Sequence, residues 1–498
     1  VGDLEASQRP DFKARIALNI LKDEVGMSRW RISTTMNCSM SFDFHHVSFC
    51  SRHKLIALGI LVVTMSVLSP TRSSAQVAAT KTTQARMRAR DLGIPFDGTP
   101  GPYNAITDVA GVEVGYKTLI SGEGRRIVGK GPVRTGVTAI LPRGKKDGEA
   151  VFAGFFAGNG NGDMTGTHWI EESGVMEAPI LITNTLSVGV VRDAAVSWMT
   201  QQGRPGNFWY PVTAETADAL LNDIKGQHVT KEDTLDALNS AGSGPVAEGN
   251  VGGGTGMRCN GFKGGSGTSS RRIVIENQSY TVGVFVQCNY GGTGEFRIAG
   301  IPVAREMKFQ HPCFTKALTP TPDSILRYNI PPCDSAPPEK VEYPDIDSAS
   351  VERAEEGSII VIVATDAPLT PEQLKRLARR VPLGLGRAGS TLADSSGDLF
   401  LAFSIANEGA DDGNSTATTK PATSKIERLI SSSLNPLFLA TLQATEEAVD
   451  NAMVAATTMI GADYILIPAL PHDELQRVLR EHKLLREVVG SPGVDSKP

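Results

Sequence analysis

Apolar runs of two kinds intermingle along this chain. Short alternating or continuous runs at residues 112–115, 150–156, 179–183 and 399–404 read as strands. Residues 358–364 (SIIVIVA) are rich in β-branched residues and bounded by polar ones, the mark of a strand buried on both faces. Residues 272–275 and 281–287 alternate as the two arms of a hairpin, and 464–468 reads as a further strand. Helical periodicity predicts helices over residues 188–201, 213–224, 371–381, 435–460 and 476–489, with 371–381 basic and amphipathic. Residues 309–355, rich in Pro, Asp and Ser, read as a surface insertion, and 408–424 as a polar low-complexity loop. There is no internal repeat. Hairpins beside crossovers predict one α/β domain with mixed, layered sheets.

The N-terminal part has a different pattern. Arg52, His53 and Lys54 precede an apolar run at 55–68 (LIALGILVVTMSVL), which is followed by small residues ending at Ser73-Ser74-Ala75. That order is the signature of a secretory signal. The run is short of the roughly 20 residues that a membrane span needs. The expectation is cleavage after Ala75, a mature protein starting at Gln76, a periplasmic or secreted location, and no stable membrane span after processing. Residues 1–53 then form an upstream extension and signal n-region, with Met40 the expected translation start, and 54–75 carry the h-region and cleavage site.

Composition narrows the reading. The 498 residues are 40% hydrophobic and 21% charged, as in soluble globular proteins. The 51 glycines favour turns and close backbone approaches. A formal net charge of −5 offers no basic face, so nucleic acid and anionic membrane surfaces are not expected partners. Of six cysteines, Cys38 and Cys50 precede the apolar run. Cys259, Cys288, Cys313 and Cys333 remain, an even number that permits disulfides in an exported chain. Cys313 and Cys333 bracket a Pro-rich stretch and are the expected pair, with free thiols the alternative.

Several chemistries lack their motifs. There is no GxxxxGK[ST] and no HExxH, and no GxSxG stands ahead of a helix. The clusters at 253–256 and 264–267 lack the strand and acidic partner of a dinucleotide site, and read as turns or substrate-facing backbone. His168, His228, His311, His472 and His482 are scattered. Neither a metal nor another cofactor is expected. What remains is Asp394-Ser395-Ser396-Gly397-Asp398-Leu399-Phe400, a Gly-bearing turn that enters a strand. A break before Ser396 would give that serine a free α-amine, with a pKa near ~8, beside its own hydroxyl. Such an amine can take the hydroxyl proton, as histidine does in a catalytic triad.

Eight ordered stretches carry a resemblance. They include GNGNGDMTGTHWIEESG (158–174), ITNTLSVGVVRDA (182–194), GNVGGGTGMRCNGFKGGSGTSSR (249–271), SGDLFLAFS (396–404) and LFLATLQATEEAVDNAM (437–453). Over residues 88–490 the chain resembles the L-aminopeptidase/D-esterase/amidase family, which includes β-aminopeptidases. The resemblance implies a layered α/β/β/α sandwich similar to N-terminal-nucleophile hydrolases but differently connected. It implies self-cleavage before Ser396 into a large subunit (76–395) and a small one (396–498) that stay together as one folded unit. Ser395 stands where the family usually has Gly or Asn. The resemblance also implies a hydroxyl and a carboxylate two residues apart near the nucleophile. Thr445 with Glu447 keeps both, while Ala444 with Glu446 keeps only the carboxylate; surface glutamates on a helix are the plain alternative. The family's tyrosine falls at Asn260, and Asn289 and Asn184 are candidate oxyanion donors. A homo-oligomer, a tetramer in the family, is the expected assembly. The expected substrates are small peptides, amino-acid amides or esters. A non-peptide, pantetheine-like amide and an inactive scaffold are the alternatives.

Overall fold

The computed structural model describes residues 87–204, 206, 208–340, 357–409 and 423–487. The expected signal segment, the Ala75 cleavage site and the Met40 start lie outside the described residues. Fifteen strands are described: β1 Glu113–Ser121, β2 Val133–Leu141, β3 Val151–Ala157, β4 Val175–Met176, β5 Ile180–Asn184, β6 Val212–Thr216, β7 Arg258–Cys259, β8 Phe262–Lys263, β9 Gly265–Ile275, β10 Gln278–Asn289, β11 Cys313–Phe314, β12 Ser358–Thr365, β13 Gly397–Ser404, β14 Met459–Ile460 and β15 Ile465–Ile467. They build a four-stranded sheet, β1-β2-β5-β6, and a six-stranded sheet, β4-β3-β13-β12-β10-β9. Each is mixed: β5 and β6 run parallel, as do β12 and β13, among otherwise antiparallel pairs.

Side-chain alternation separates the layers. Along β12, Ile359, Val361 and Val363 point to a core shared with the helices, while Ile360, Ile362 and Ala364 point into a second core. Along β13, Phe400 and Ala402 take the helix side, and Leu399, Leu401 and Phe403 the other. The second core is completed by Ile140, Ile180, Ile182 and Ala214 of the four-stranded sheet. That sheet sends Val137, Ala139 and Leu181 outward to a third core with Trp198 and Leu238 of helices Val188–Gln201 and Lys231–Asn239. Period-two alternation therefore yields helix, sheet, sheet and helix in succession, the expected α/β/β/α sandwich.

The outer helix on the six-stranded sheet is Asn435–Val454, which lies across β9 and β10. Its close approach needs glycine: a Cβ on Gly267 would overlap the Ala448 carbonyl oxygen, while Ser269 Oγ donates to the Ala444 carbonyl at 2.6 Å. The cluster at 252–256 is likewise a buried 3-10 turn between the sheets. Most of these glycines serve backbone packing rather than exposed turns.

Several expected elements change. The helix expected at 213–224 is β6 followed by turns; all five β6 residues are buried, so no alternation marked it. The entirely buried β2 was hidden for the same reason. The long helix ends at Val454, and Met459–Ile460 forms β14. The basic helix stops at Ala378 and is followed by Val381–Arg387. The last helix runs His472–Glu481, starting before 476. Cys313 bonds to Cys333 as expected, and Cys259 also bonds to Cys288.

Glu447 ties the ends of this unit together. Its carboxylate accepts from Arg90 at 2.7 and 2.8 Å, from Arg271 Nη2 at 2.7 Å and from Asn104 Nδ2 at 2.5 Å. Burial pushes its pKa up, but the Arg90 hydrogen bond and the charges of Arg271 and Arg90 outweigh that and hold it below the usual value. Glu447→Ala strands two guanidinium groups and is expected to cost about 3–5 kcal/mol of unfolding free energy, measured by urea denaturation at neutral pH. Because the folded-state pKa is depressed, the wild-type contribution is complete above the unfolded carboxyl value of about 4.3. It disappears as pH falls through the lower folded value.

Candidate active site

Ser396 sits one residue ahead of β13, at the end of a turn closed by its own N–H donating to the Ala393 carbonyl at 2.9 Å. It is buried, with 2% exposure. Side chains two apart on an extended segment share a face, so Ser396 Oγ reaches Asp398 Oδ1 at 2.7 Å. Asp398 Oδ2 accepts from Asn159 Nδ2 at 2.9 Å, and the same amide donates to the Ala393 carbonyl at 2.8 Å. Gly397 donates to Ser358 Oγ at 3.2 Å and cannot carry a side chain, since a Cβ there would overlap the Asn161 carbonyl oxygen. Asn161 Nδ2 donates at 2.7 Å to the carbonyl oxygen of Ser395, which belongs to the peptide bond preceding Ser396.

This turn opens on a cleft of about 380 Å³ between the ends of the two sheets. Ser395, Ser358 and Asn289 line it from the six-stranded side, and Thr185 and Glu215 from the four-stranded side, with Asn161 between. Glu215 is buried and accepts from Thr185 Oγ1 and from the Asp163 N–H at 3.0 Å. Burial raises its pKa, against the lowering effect of those hydrogen bonds.

The other expected site residues divide. Asn289 lines the cleft, but its side chain is held by backbone: Nδ2 donates to the Ala217 carbonyl at 3.1 Å, and Oδ1 accepts from the Arg258 N–H at 2.9 Å. Asn184 is a buried cap, bonded to Thr135 Oγ1 at 2.8 Å and to the Leu186 N–H at 3.1 Å. Asn260 is buried in the left-handed region (φ 49°), with its N–H donating to the Tyr290 carbonyl at 2.7 Å. Tyr290 is buried beside it, and burial together with the charges of Asp450 and Asp398 pushes its phenol up. Thr445 Oγ1 turns back to the Thr441 carbonyl at 2.8 Å, and Glu446 pairs with Arg387 at 3.0 Å. With Glu447 in its arginine cluster, none of these three bonds Ser396; the carboxylate that does is Asp398. Asn159, Asn161 and Asp398 lie in family-like stretches, but the resemblance points to no role for them. Glu215 was hidden in the segment read as a helix; a strand reading would have put it at a sheet end, where clefts form.

Among the described residues, no group of three or more His, Cys, Asp or Glu is arranged to hold a metal ion. The arrangement places together a hydroxyl, a carboxylate that accepts from it, an amide donor on the neighbouring Ser395 carbonyl, and a second carboxylate across the cleft, groups of the kind that nucleophilic acyl transfer uses.

Comparison with known proteins agrees with this geometry. The model of peptidase family S58 matches residues 104–465. A beta-peptidyl aminopeptidase of Sphingosinicella microcystinivorans is 49% identical over 398 residues, covering 80% of this chain and 93% of that protein. The L-aminopeptidase D-Ala-esterase/amidase of Ochrobactrum anthropi, a prototype of the serine aminopeptidases with a variant Ntn hydrolase fold, superposes with a TM-score of 0.67 at 42% identity, over 80% of this chain and 99% of its own. A β-aminopeptidase of a Burkholderia species superposes with a TM-score of 0.65 at 41% identity, over 79% and 99%. With a family model spanning most of its length, and with relatives this similar in sequence and in fold, the chain belongs to peptidase family S58.

Proposed function

We propose that this chain is a self-cleaving serine aminopeptidase that releases N-terminal residues from small peptides, amides or esters through an acyl-enzyme on Ser396. The observation that carries the reading is the pair of 2.7 Å hydrogen bonds flanking the 395–396 peptide bond, Ser396 to Asp398 and Asn161 to the Ser395 carbonyl. In self-cleavage, Ser396 Oγ bonds to the Ser395 carbonyl carbon while its proton passes to Asp398. Asn161 donates to the oxygen as it gains negative charge. The C–N bond then breaks, the nitrogen takes the proton, and an ester links Ser395 to Ser396. Water hydrolyses that ester, freeing the α-amine and the hydroxyl of Ser396 and yielding subunits 76–395 and 396–498.

In turnover the neutral α-amine takes the Oγ proton and returns it to the leaving amine. Asn161, no longer occupied by the Ser395 carbonyl, donates to the substrate's oxyanion. Glu215, the carboxylate across the cleft, binds the substrate's ammonium. An N-terminal β-residue places one more methylene between ammonium and scissile carbonyl. The small Ala217 and Ala219 beside Glu215 leave room for it, which supports β-peptide substrates of the kind the relatives' names describe. Residues 52–75 support a periplasmic or secreted location.

Wild-type protein is expected to run as two fragments on a denaturing gel, the smaller beginning at Ser396 by N-terminal sequencing. Ser396→Ala should run as one chain and hydrolyse no amino-acid p-nitroanilide; continued processing in that variant would move the nucleophile elsewhere. Asn161→Ala should slow self-cleavage by about 10²–10³-fold, the usual loss for one oxyanion donor, followed as the decay of uncut precursor. Glu215→Gln should raise KM for free-amine substrates more than it lowers kcat. Turnover needs the Ser396 α-amine neutral and Glu215 ionised, so the acid side of the wild-type kcat/KM profile should steepen to a slope of about two, with the Glu215 ionisation above its ordinary value because burial raises it; in the variant only the α-amine's single ionisation should remain.

A further inference from the structure

Beside the catalytic cleft lies a second cavity of about 690 Å³. Leu220, Arg258, Arg327 and Tyr328 line both, so the two chambers meet at these side chains. Glu215, Ser358 and Ser395 line the catalytic cleft but not the second chamber. Pro312, Ile330 and Pro331 continue the apolar wall that Leu220 and Tyr328 begin.

This wall is built to hold its shape. Most of it belongs to the segment closed by the Cys313–Cys333 disulfide. Strand β11 pairs with β15, and the Phe314 N–H donates to the Pro331 carbonyl at 2.9 Å. Ile325 and Ile330 pack with Leu221, Ile465 and Ile467 in one apolar cluster, with Leu220 against it. Ser324 Oγ, on the short helix Asp323–Arg327, donates to Asp463 Oδ2 at 2.7 Å. Tyr328 follows that helix, and its N–H donates to the Ser324 carbonyl at 3.3 Å. The guanidinium carbon of Arg327 lies 5.4 Å from the centre of the Tyr328 ring, within cation–π range. The tyrosine nonetheless keeps 41% exposure. A single exposed aromatic is ordinary on a protein surface; this one stands on anchored backbone where the reaction cleft opens into a further chamber.

We propose that Tyr328 is a specificity-determining residue whose ring, with Leu220, packs on the side chain of the substrate's second residue. The proposal rests on the aminopeptidase reading above and names its substrate class: short peptides whose second residue is large and apolar. With the ammonium at Glu215 and the scissile carbonyl at Ser396, both ends of the first residue are fixed on walls of the catalytic cleft. The leaving group begins at that carbonyl, and the space open to it beyond the cleft is the chamber past Tyr328. An aromatic or branched side chain entering there covers apolar surface on the Tyr328–Leu220 wall, which a glycine cannot do. The contact is made in the bound substrate as well as in the transition state, so it acts on KM more than on kcat.

The test uses the processed wild-type protein and the Tyr328→Ala and Tyr328→Phe variants on Ala-Phe, Ala-Gly and Phe-Gly. The ratio of kcat/KM for Ala-Phe to that for Ala-Gly is internal to each protein, so a general loss of folding or chemistry cancels. Wild type should favour Ala-Phe by about tenfold, the order expected for burying about half of a large apolar side chain. Tyr328→Ala should bring the ratio toward one through KM, and Tyr328→Phe should keep it. The ratio of Phe-Gly to Ala-Gly, which reads the first residue, should be the same in all three proteins. Calorimetry with N-acetyl-phenylalaninamide against N-acetyl-glycinamide, which carry no ammonium for Glu215, reads the chamber without turnover and should show the same preference and the same loss. Equal use of Ala-Phe and Ala-Gly by wild type, a preference that survives Tyr328→Ala, or a change in the first-residue ratio instead overturns the proposal and leaves the aminopeptidase reading standing. Tyr328-dependent binding of N-acetyl-phenylalaninamide by a protein that hydrolyses no peptide overturns the aminopeptidase reading and leaves the chamber's selectivity standing.

Discussion

A serine hydroxyl and a carboxylate are buried side by side at the start of β13, and such groups persist in a protein interior only when every polar atom has a partner. The turn at 393–398 meets that demand within a few residues. Asp398 accepts from Ser396 and Asn159, Asn159 also holds the Ala393 carbonyl, and Asn161 holds the Ser395 carbonyl. The same bonds that satisfy the buried groups aim the hydroxyl and polarise the peptide bond beside it. The bonds that stabilise the turn are also the bonds that orient the Ser396 hydroxyl.

The sandwich supplies the position. Two sheets facing each other leave their strand ends at a common edge, where β13, β12 and β10 meet the ends of β5 and β6. Backbone groups there have no further ladder partner, so side chains such as Asn289, Ser358 and Asn161 complete the hydrogen bonding and line a cleft at the same time. Glycines allow the layers to approach closely enough for this edge to be shared, as at Gly267 under the long helix and Gly397 against Asn161. The Glu447–Arg90–Arg271 cluster works elsewhere, fastening the start of the described chain and the long helix to β9. The carboxylates thus separate by environment: Glu447 is held ionised by two arginines, whereas Glu215 and Asp450 are pushed toward protonation by burial.

Legibility followed the range of the interactions. Ser396 was readable because its turn, its glycine and its strand are contiguous, and Asp398 lies two residues on. Asn161 was not, because its partner is 234 residues away along the chain. Glu215 was missed through a wrong period at β6, where burial on both faces erases alternation. Thr445, Glu446 and Glu447 drew attention as hydroxyl and carboxylates at a suggestive spacing, and their partners prove to be Thr441, Arg387 and the Arg90–Arg271 pair. Strands with β-branched runs, such as β12, were found nearly to the residue.

By itself the amino-acid sequence determined the mixed α/β class, the turn that carries Ser396, the Cys313–Cys333 staple and the family, since these rest on periodicity, local geometry and contiguous motifs. Tertiary structure alone decided which polar side chains meet. It brought Asn161 to the Ser395 carbonyl and set Glu215 across the cleft. The physical reason is that a hydrogen bond or ion pair depends on distance in space, and in a layered sandwich that distance is set by sheet order and packing rather than by separation along the chain.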